Sequence, residues 1–198
     1  MKPIIYLVHG WASSIPTEPV LLKLKKSLEQ DGYEVKALNF PLAKFPIVWL
    51  WTWRLKQVVQ NDKPAIFVGH SIGCQAILRY LMKTKSQPKL LNLILIAPWF
   101  KLDNQVKVKF RAKYGLLARL IMWSWTREID FRLIKNKTQK IIALLSRDDQ
   151  TVPLDINREI LNNNLQAEVL VYEKAGHFSR YDEIDITADL LLMIKKVV

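Results

Sequence analysis

One serine of this chain lies between two glycines, in the pattern Gly-His-Ser-Ile-Gly at residues 69–73. An apolar run, residues 65–68, precedes the pattern, and a helical pattern over residues 72–83 follows it. Glycines at these two positions permit a sharp strand-to-helix turn that exposes the serine hydroxyl. A glycine-bounded turn with an incidental serine has the same residues, but the strand-turn-helix context favours Ser71 as a nucleophile.

A serine hydroxyl is a weak nucleophile and needs a base within hydrogen-bond reach, and the chain has three histidines. His9 ends the first apolar run, and His70 is fixed beside Ser71 by the backbone. His177 follows the last predicted strand, at the sheet edge where open α/β sheets build their sites. A lone loop histidine is more often a solvated surface residue, but this position favours His177 as the general base.

Two adjacent aspartates, Asp148 and Asp149, follow another predicted strand, residues 141–145. A carboxylate between the serine and the histidine in chain order can fix the tautomer of His177 and stabilise its protonated form. The same aspartates could instead form an Asx turn or cap the next helix. Spacing alone does not choose between them, and Asp103, which opens a variable segment, is a less favoured third candidate.

The candidate residues lie at the ends of predicted strands, in a repeated strand-helix rhythm. Strands without alternating polarity are buried on both faces, as parallel strands covered by helices must be. The sequence therefore predicts an α/β fold, a three-layer α/β/α sandwich with a mainly parallel sheet of about six strands. The predicted strands are residues 4–8, 33–38, 65–68, 90–97, 141–145 and 168–172. The predicted helices are residues 19–30, 47–60, 72–83, 154–163 and 184–196.

Composition narrows the class of protein further. Half of the residues are hydrophobic and 24% are charged, a composition that excludes a disordered chain. The length of 198 residues predicts a single domain, 1–198. The single cysteine, Cys74, excludes an internal disulfide and predicts a cytoplasmic, reducing location. The apolar run at residues 4–8 is interpreted as a strand because it is too short for a signal peptide. Neither a dinucleotide fingerprint nor a Walker loop occurs, which argues against dinucleotide or nucleotide chemistry. No cofactor and no metal is expected, because a serine nucleophile activated by a histidine needs neither.

The formal charge of +12 is concentrated in one segment. Residues 99–136, a predicted cap-like insertion, carry nine Lys and Arg against three Asp and Glu, a net charge of +6. Clustered Lys and Arg are the electrostatic footprint of phosphate binding, so nucleic-acid binding is a further hypothesis, although nucleic acid is not the predicted partner. The segment could pack as an ordinary helix, cap the active site, or contact an anionic membrane surface or an acidic partner. An apolar stripe at helical spacing supports a helix here, at Phe110, Tyr114, Leu117, Ile121 and Trp125.

Four short motifs together resemble the landmarks of the α/β-hydrolase superfamily, in its order and at its strand ends: His-Gly-Trp at 9–11, the serine pattern at 69–73, Asp-Gln-Thr-Val-Pro at 149–153 and Gly-His-Phe at 176–178. The signatures most resemble the small serine hydrolases typified by retinoblastoma-binding protein nine. In that family the acid is the second Asp of the pair, which implies Asp149. The resemblance implies a serine hydrolase that cleaves carboxylic esters or related acyl substrates through an acyl-enzyme on Ser71.

An acyl-transfer reaction also needs two N–H groups aimed at the oxyanion that develops on the carbonyl oxygen. The backbone N–H of Ile72, at a helix N-terminus, is one candidate. The resemblance implies Trp11 for the other. Aromatic side chains beside the predicted loops suggest an apolar pocket for an uncharged small-molecule acyl ester, with Trp99, Phe100 and Phe178 as lining residues.

A non-catalytic protein on the same fold is the alternative, since a fold does not imply a function. In that case the basic segment 99–136 would contact a membrane or a protein partner. The distance between His177 and Ser71 separates the two hypotheses, because a base beyond about 5 Å, with no water or closing motion to bridge the gap, favours the binding protein.

Overall fold

The computed structural model describes residues 2–86, 88, 90–102, 104–180 and 184–198, without the side chains of Val106, Phe110, Ala118 and Arg119. Six strands form one sheet in the order β2-β1-β3-β4-β5-β6, and every neighbouring pair is parallel. This confirms the predicted α/β class. The strands are β1 (Ile4–Val8), β2 (Val35–Leu38), β3 (Ala65–His70), β4 (Leu91–Ile96), β5 (Lys140–Ser146) and β6 (Glu168–Tyr172).

Helices connect the strands, as parallel pairing requires. A short 3₁₀ turn, Ile15–Thr17, precedes the first helix, and a π-helical turn, Leu161–Leu165, follows the sixth. In the described part of the chain, no helix combines the length and apolarity needed to cross a membrane. The helices are α1 (Pro19–Gln30), α2 (Val48–Val58), α3 (Ile72–Lys83), α4 (Asn104–Trp125), α5 (Phe131–Lys135), α6 (Leu154–Ile160) and α7 (Thr187–Val197).

Both faces of the sheet are buried. In β1 the side chains of Ile4, Tyr6 and Val8 belong to one core cluster and those of Ile5 and Leu7 to the other. Helices α1 and α7 cover the second cluster, while α2, α3, α5 and the end of α4 cover the first. Burial of each such aliphatic side chain stabilises the fold by roughly 1.5–3 kcal/mol. Two covered faces make the three layers that the apolar strands predict.

Helix α4 departs from the prediction of one continuous apolar stripe. Gly115 has φ 56° and ψ −138°, a non-helical conformation that interrupts the helix. Beyond this break Ile121 and Trp125 are buried, whereas Leu117 is exposed. The side chain of Phe110, which precedes the break, lies outside the described residues. The break ends the single helical face on which the stripe depended, and among the described side chains of the stripe Ile121 and Trp125, near the C-terminal end of α4, are the ones buried in the core.

We expect Gly73→Ala to destabilise the protein by about 3 kcal/mol, a value typical of a severely overpacked site. A Cβ at Gly73 would lie 2.5 Å from the carbonyl oxygen of His9 and 2.6 Å from that of Val8, and backbone atoms cannot move aside cheaply. Urea unfolding of both proteins measures the difference. Gly32→Ala is the control, because its Cβ would meet only the end of the Lys2 side chain at 3.5 Å, an ordinary contact, and its positive φ of 75° costs about 1 kcal/mol. Equal losses for the two variants would contradict the steric explanation.

Candidate active site

Ser71 lies between the last residue of β3 and the first residue of α3, where the chain reverses direction. Its backbone has φ 53° and ψ −122°, a region that non-glycine residues rarely occupy. The Ser71 N–H donates to the carbonyl oxygen of Ile96 at 2.8 Å, which ties the turn to β4. The strained turn therefore holds the hydroxyl at the carboxyl edge of the sheet, as in a nucleophile elbow.

A hydrogen-bonded chain joins three of the residues that the sequence singled out. His177 Nδ1 lies 2.7 Å from Asp149 Oδ2, and His177 Nε2 lies 3.1 Å from Ser71 Oγ. Because an ionised carboxylate only accepts hydrogen bonds, Nδ1 carries the hydrogen and Nε2 presents its lone pair to the serine hydroxyl. The arrangement has the geometry of an alcohol paired with a general base and a carboxylate that orients the base.

The two adjacent aspartates have different contacts. Asp149 uses its other oxygen, Oδ1, to accept from the N–H groups of Thr151 at 2.7 Å and Val152 at 3.0 Å, so it forms the Asx turn and also contacts His177. Asp148 Oδ1 instead accepts from Ser146 Oγ and from the Gly176 N–H. These hydrogen bonds, that of Ser146 foremost, lower the pKa of Asp148.

Asp148 therefore supports the loop that carries the histidine, and Asp149 contacts the imidazole itself. Of the two aspartates that spacing left equivalent, Asp149 is the one whose carboxylate reaches Nδ1 of His177. The third candidate acid, Asp103, lies outside the described residues.

The loop after β1 packs directly against Ser71. A Cβ added to Gly10 would lie 3.3 Å from Ser71 Cβ, a contact tighter than most Cβ atoms make, so a glycine at residue 10 favours this close approach. Of the two predicted oxyanion residues, Ile72 directly follows Ser71 in sequence and begins α3. Trp11 directly follows Gly10, in the loop that packs against Ser71. His9 is neutral here: burial lowers its pKa, and its Nε2 accepts from the Phe40 N–H.

The predicted pocket aromatics divide between different surroundings. Trp99 is buried, with its ring centroid 6.2 Å from that of Trp11. Phe100 is half-buried and packs edge-on against Phe131, 5.7 Å away, along a separate cavity. Phe178 is buried in the core cluster beneath α1 and α7. Of the three, only Trp99 packs against the loop beside Ser71, and Phe178 is a core residue because its loop turns inward after His177.

Cys74 is fully buried on α3, where its Sγ contacts the carbonyl oxygen of Ile96 at 3.5 Å. Burial raises the pKa of this thiol well above its usual value. A protonated, enclosed thiol is a poor nucleophile. The prediction that Cys74 packs inward is confirmed.

Sequence reasoning missed a buried ion pair next to the elbow. Glu18 and His70 are both almost completely buried, and Glu18 Oε2 lies 3.1 Å from His70 Nδ1. The alignment is that of an ion pair rather than of an ideal hydrogen bond. The other carboxylate oxygen, Oε1, accepts from the Gly10 N–H at 2.7 Å and from the Ser13 hydroxyl. The other imidazole nitrogen, Nε2, lies 2.8 Å from the carbonyl oxygen of His177.

These contacts fix the charge of both groups. Burial alone would lower the pKa of His70, but the Glu18 carboxylate and the His177 carbonyl outweigh burial and raise it. Burial alone would raise the pKa of Glu18, but His70 and the donors of Ser13 and Gly10 outweigh it and lower it. His70 is thus an imidazolium whose Nε2 donates to the His177 carbonyl oxygen and whose Nδ1 faces the Glu18 carboxylate.

The pair connects the loop after β1, the serine elbow and the histidine loop. Glu18 and His70 are 52 positions apart in sequence, and Glu18 directly precedes a helix, where an acid commonly has a capping role. No local signal indicated the contact. Only the adjacency of β1 and β3 brings the two residues together.

Removing the Glu18 carboxylate should destabilise the protein to an extent that depends on pH, because Glu18 pairs with the titratable His70. We expect Glu18→Gln to lower the pKa of His70 and to cost roughly 3 kcal/mol near pH 6, since it leaves a buried cation unpaired. Because the pKa of His70 is raised above its usual value of 6.5, its protonation stabilises the folded protein fully below that pH. This stabilisation is lost as the pH rises through the pKa that His70 has in the folded protein. The cost should therefore shrink at alkaline pH.

Urea unfolding across pH measures the stability of each protein, and imidazole NMR measures the pKa of His70. Glu29→Gln, which removes an exposed carboxylate paired with Lys25, is the charge-matched control and should change stability by less than about 0.5 kcal/mol. A wild-type His70 that titrates at or below its usual pKa would contradict the ion pair.

The sequence matches known proteins over most of its length. At the sequence level, YdeN of Bacillus subtilis, named as a hydrolase, is 27% identical over 180 residues, which cover 90% of this chain and 87% of YdeN. The serine hydrolase RBBP9 of Rattus norvegicus is 25% identical over 171 residues, which cover 86% of this chain and 78% of RBBP9.

Solved structures agree on the fold. The crystal structure of the ydeN gene product from B. subtilis superposes with a TM-score of 0.78 at 23% identity, covering 98% of this chain and 100% of that one. The esterase EaEST of Exiguobacterium antarcticum gives 0.70 at 15% identity, covering 98% and 92%. The family model described as serine hydrolase matches residues 5–185. The chain, an α/β-hydrolase in fold, belongs to the serine hydrolase family.

Proposed function

We propose that this hydrolase cleaves carboxylic esters or related acyl substrates through an acyl-enzyme on Ser71, with His177 as the general base and Asp149 as the orienting acid. The observation that carries the proposal is the position of His177 between the other two residues. Its Nε2 is 3.1 Å from Ser71 Oγ while its Nδ1 is 2.7 Å from Asp149 Oδ2. Both distances are within hydrogen-bond reach before any substrate binds.

Acylation follows from this geometry. Ser71 Oγ forms a bond to the acyl carbon as its proton moves to His177 Nε2, and Asp149 stabilises the imidazolium that results. Collapse of the tetrahedral intermediate breaks the bond from the acyl carbon to the leaving oxygen. His177 returns its proton to that oxygen, so the alcohol departs neutral. In the second half a water molecule, deprotonated by the same nitrogen, attacks the acyl carbon. The bond from the acyl carbon to Ser71 Oγ then breaks, and His177 returns the proton to Ser71 Oγ as the acid leaves.

The negative charge of each intermediate needs preorganised donors. The N–H of Ile72 lies at the positive end of the α3 dipole, and that of Trp11 belongs to the loop that Gly10 allows against Ser71. We assign these two N–H groups to the oxyanion hole. The buried Glu18 carboxylate holds the same loop through the Gly10 N–H, so the ion pair keeps the second donor in position.

The substrate class is proposed from the surroundings of the serine. Trp11 and Trp99 pack together beside the elbow and provide apolar contact for an acyl group. A cavity of about 390 Å³ opens on His177, and Thr151 and Arg180 are among the polar residues that line it. Esterases among the similar structures, one of them a Butyrivibrio proteoclasticus enzyme with bound ferulic acid, support a small-molecule ester.

Replacement of the nucleophile should abolish turnover without unfolding the protein. We expect Ser71→Ala to lower kcat on p-nitrophenyl esters by at least about 10³-fold, since the remaining binding and oxyanion contacts alone catalyse weakly. The same variant should lose covalent labelling by a fluorophosphonate probe. Ser86→Ala, an exposed serine beyond the far end of α3, should keep both. Labelling that survives Ser71→Ala would sink the assignment, and a folded wild-type protein that neither turns over esters nor reacts with the probe favours the non-catalytic alternative.

The outward face of α4 supports a second proposal, about a partner: we propose that this face contacts an anionic membrane surface. Beyond the break at Gly115, three large apolar side chains recur at helical spacing and face solvent: Leu116 is 85%, Leu120 64% and Trp123 63% exposed. Because Ile121 and Trp125 are buried on the opposite side, this part of the helix is apolar on both sides.

The charge around this face selects the partner. Residues 104–127 contain six Lys and Arg and no Asp or Glu. A second copy of the chain would bring the same positive charges face to face, whereas anionic lipid headgroups complement them. An apolar face flanked by cations is typical of helices that lie in the membrane interface without spanning it.

We expect the protein to sediment with phosphatidylglycerol-containing vesicles and much less with pure phosphatidylcholine vesicles. The double variant L120S/W123S should reduce the bound fraction several-fold because it removes the exposed apolar contact. Leu192→Ser, at a site 67% exposed on α7, is the control on the other side of the sheet and should bind as the wild type does. Binding that ignores lipid charge would contradict the proposal, and so would a dimer that the same double substitution dissociates, since that identifies a second copy as the occupant.

A further inference from the structure

A second cavity, of about 910 Å³, lies along α3 beyond the serine elbow. Gln75, Arg79 and Met82 of α3 line one side of it, and the chain from 125 to 132 lines another. Neither Ser71 nor His177 lines this cavity. The cavity is therefore distinct from the site proposed for ester cleavage.

Arg79 is a buried cation in the wall of this cavity. Its side chain is only 3% exposed, and within the described residues no carboxylate lies within 4.0 Å of it to form an ion pair. Burial, and then the nearby charge of Arg127, lower the pKa of Arg79 to about 10, so the guanidinium remains charged at neutral pH. A buried charge without a counter-ion is strongly destabilising unless hydrogen bonds compensate it.

The hydrogen bonds of Arg79 leave part of the guanidinium unused. Nε donates to Gln75 Oε1 at 3.1 Å, and Nη2 donates to the carbonyl oxygens of Trp125 at 2.5 Å and Arg127 at 2.6 Å. These bonds tie α3 to the end of α4 and hold the guanidinium plane in one orientation. They use three of its five hydrogens, and no hydrogen bond within the described residues uses the two on Nη1.

Further cations surround the same space. Two acids also line the cavity, Glu128 and Asp130, and Asp130 is engaged 3.4 Å from Arg132 Nε. Among the described lining residues the positive charges exceed the negative ones by three, which favours a positive potential inside the cavity. The five cationic residues in its lining are Arg79, Lys101, Arg127, Arg132 and Lys135.

One wall of the cavity is apolar. Phe100 and Phe131 both line it and pack edge to face with ring centroids 5.7 Å apart. Met82 and Trp125 add further apolar surface. A volume of this size exceeds that of an inorganic ion and is typical of a site for a small organic molecule.

We propose that this cavity binds a small organic anion, with a phosphate or carboxylate group on Nη1 of Arg79 and an apolar or aromatic part against Phe100 and Phe131. An oxyanion accepts charge-assisted hydrogen bonds from a guanidinium that is already held in place, so little side-chain entropy is lost on binding. The surrounding cations attract the anion and orient its charged end inward. The proposal does not depend on ester cleavage, because none of the three residues assigned to that reaction lines the cavity.

Isothermal titration calorimetry on the Ser71→Ala protein tests the proposal without interference from turnover. We expect phenyl phosphate or benzoate to bind more tightly than inorganic phosphate, and benzyl alcohol, which has no charge, not to bind. The stronger of the first two identifies the anionic group. Arg79→Gln should weaken the stronger ligand at least tenfold, as expected for the loss of a charge-assisted hydrogen bond.

A second variant covers the case in which Arg79→Gln fails to fold. K101Q/K135Q removes two exposed cations at the cavity and should weaken binding about threefold or more. K26Q/K195Q removes two exposed cations from α1 and α7, across the sheet, and should leave the affinity unchanged. The proposal is overturned if neither aromatic anion binds at millimolar concentration, or if the two double variants weaken binding equally, which indicates a general effect of net charge.

Discussion

The buried ion pair between Glu18 and His70 couples the loops on which the active site depends. The Glu18 carboxylate accepts a hydrogen bond from the backbone N–H of Gly10, and the His70 imidazolium donates one to the carbonyl oxygen of His177. Each of these loops is an irregular segment whose position the sheet alone does not fix. Charges buried in this way are costly unless they are paired and hydrogen-bonded, so both groups are confined to an arrangement that satisfies them. The confinement is transmitted to the two backbone segments that flank Ser71.

The elbow itself depends on close approach between backbones. Gly73 lies where a Cβ would collide with carbonyl oxygens at the end of β1, and Gly10 lies where a side chain would collide with Glu18. Ser71 can adopt its strained backbone because the strand before it and the helix after it are both buried. The strain is local, and the packing around it supplies the compensating free energy.

Helix α3 connects the proposed active site with the second cavity. Ser71 directly precedes this helix and Ile72 begins it, while Gln75 and Arg79 lie further along it. Gln75 donates to the carbonyl oxygen of Trp99 and accepts from Arg79, so one amide joins the aromatic contact beside the serine to the guanidinium in the cavity wall. The same arginine holds the end of α4, the helix whose outward face is apolar. The elements around both sites are thus linked through a few side-chain hydrogen bonds.

Local patterns determined a great deal about this protein. Apolar runs predicted a mainly parallel sheet of about six strands, because a strand covered on both faces has no need of polar positions. Glycine spacing predicted the elbow, because glycine permits such close backbone contact. Strand ends specified the loop of His177, since the carboxyl ends of parallel strands meet at one edge. The helical spacing of apolar residues was a less reliable guide in α4. A glycine can be accommodated in a helix or can interrupt it, and Gly115 interrupts this one.

Only the tertiary structure decided the remaining contacts. Asp148 and Asp149 are equivalent in spacing, and what separates them is the distance from each carboxylate to Nδ1 of His177. Glu18 has the appearance of a helix-start residue until the adjacency of β1 and β3 places it against His70. The physical reason is common to both cases: local sequence encodes backbone conformation and burial, whereas a hydrogen bond between distant residues depends on where the packed sheet brings their atoms.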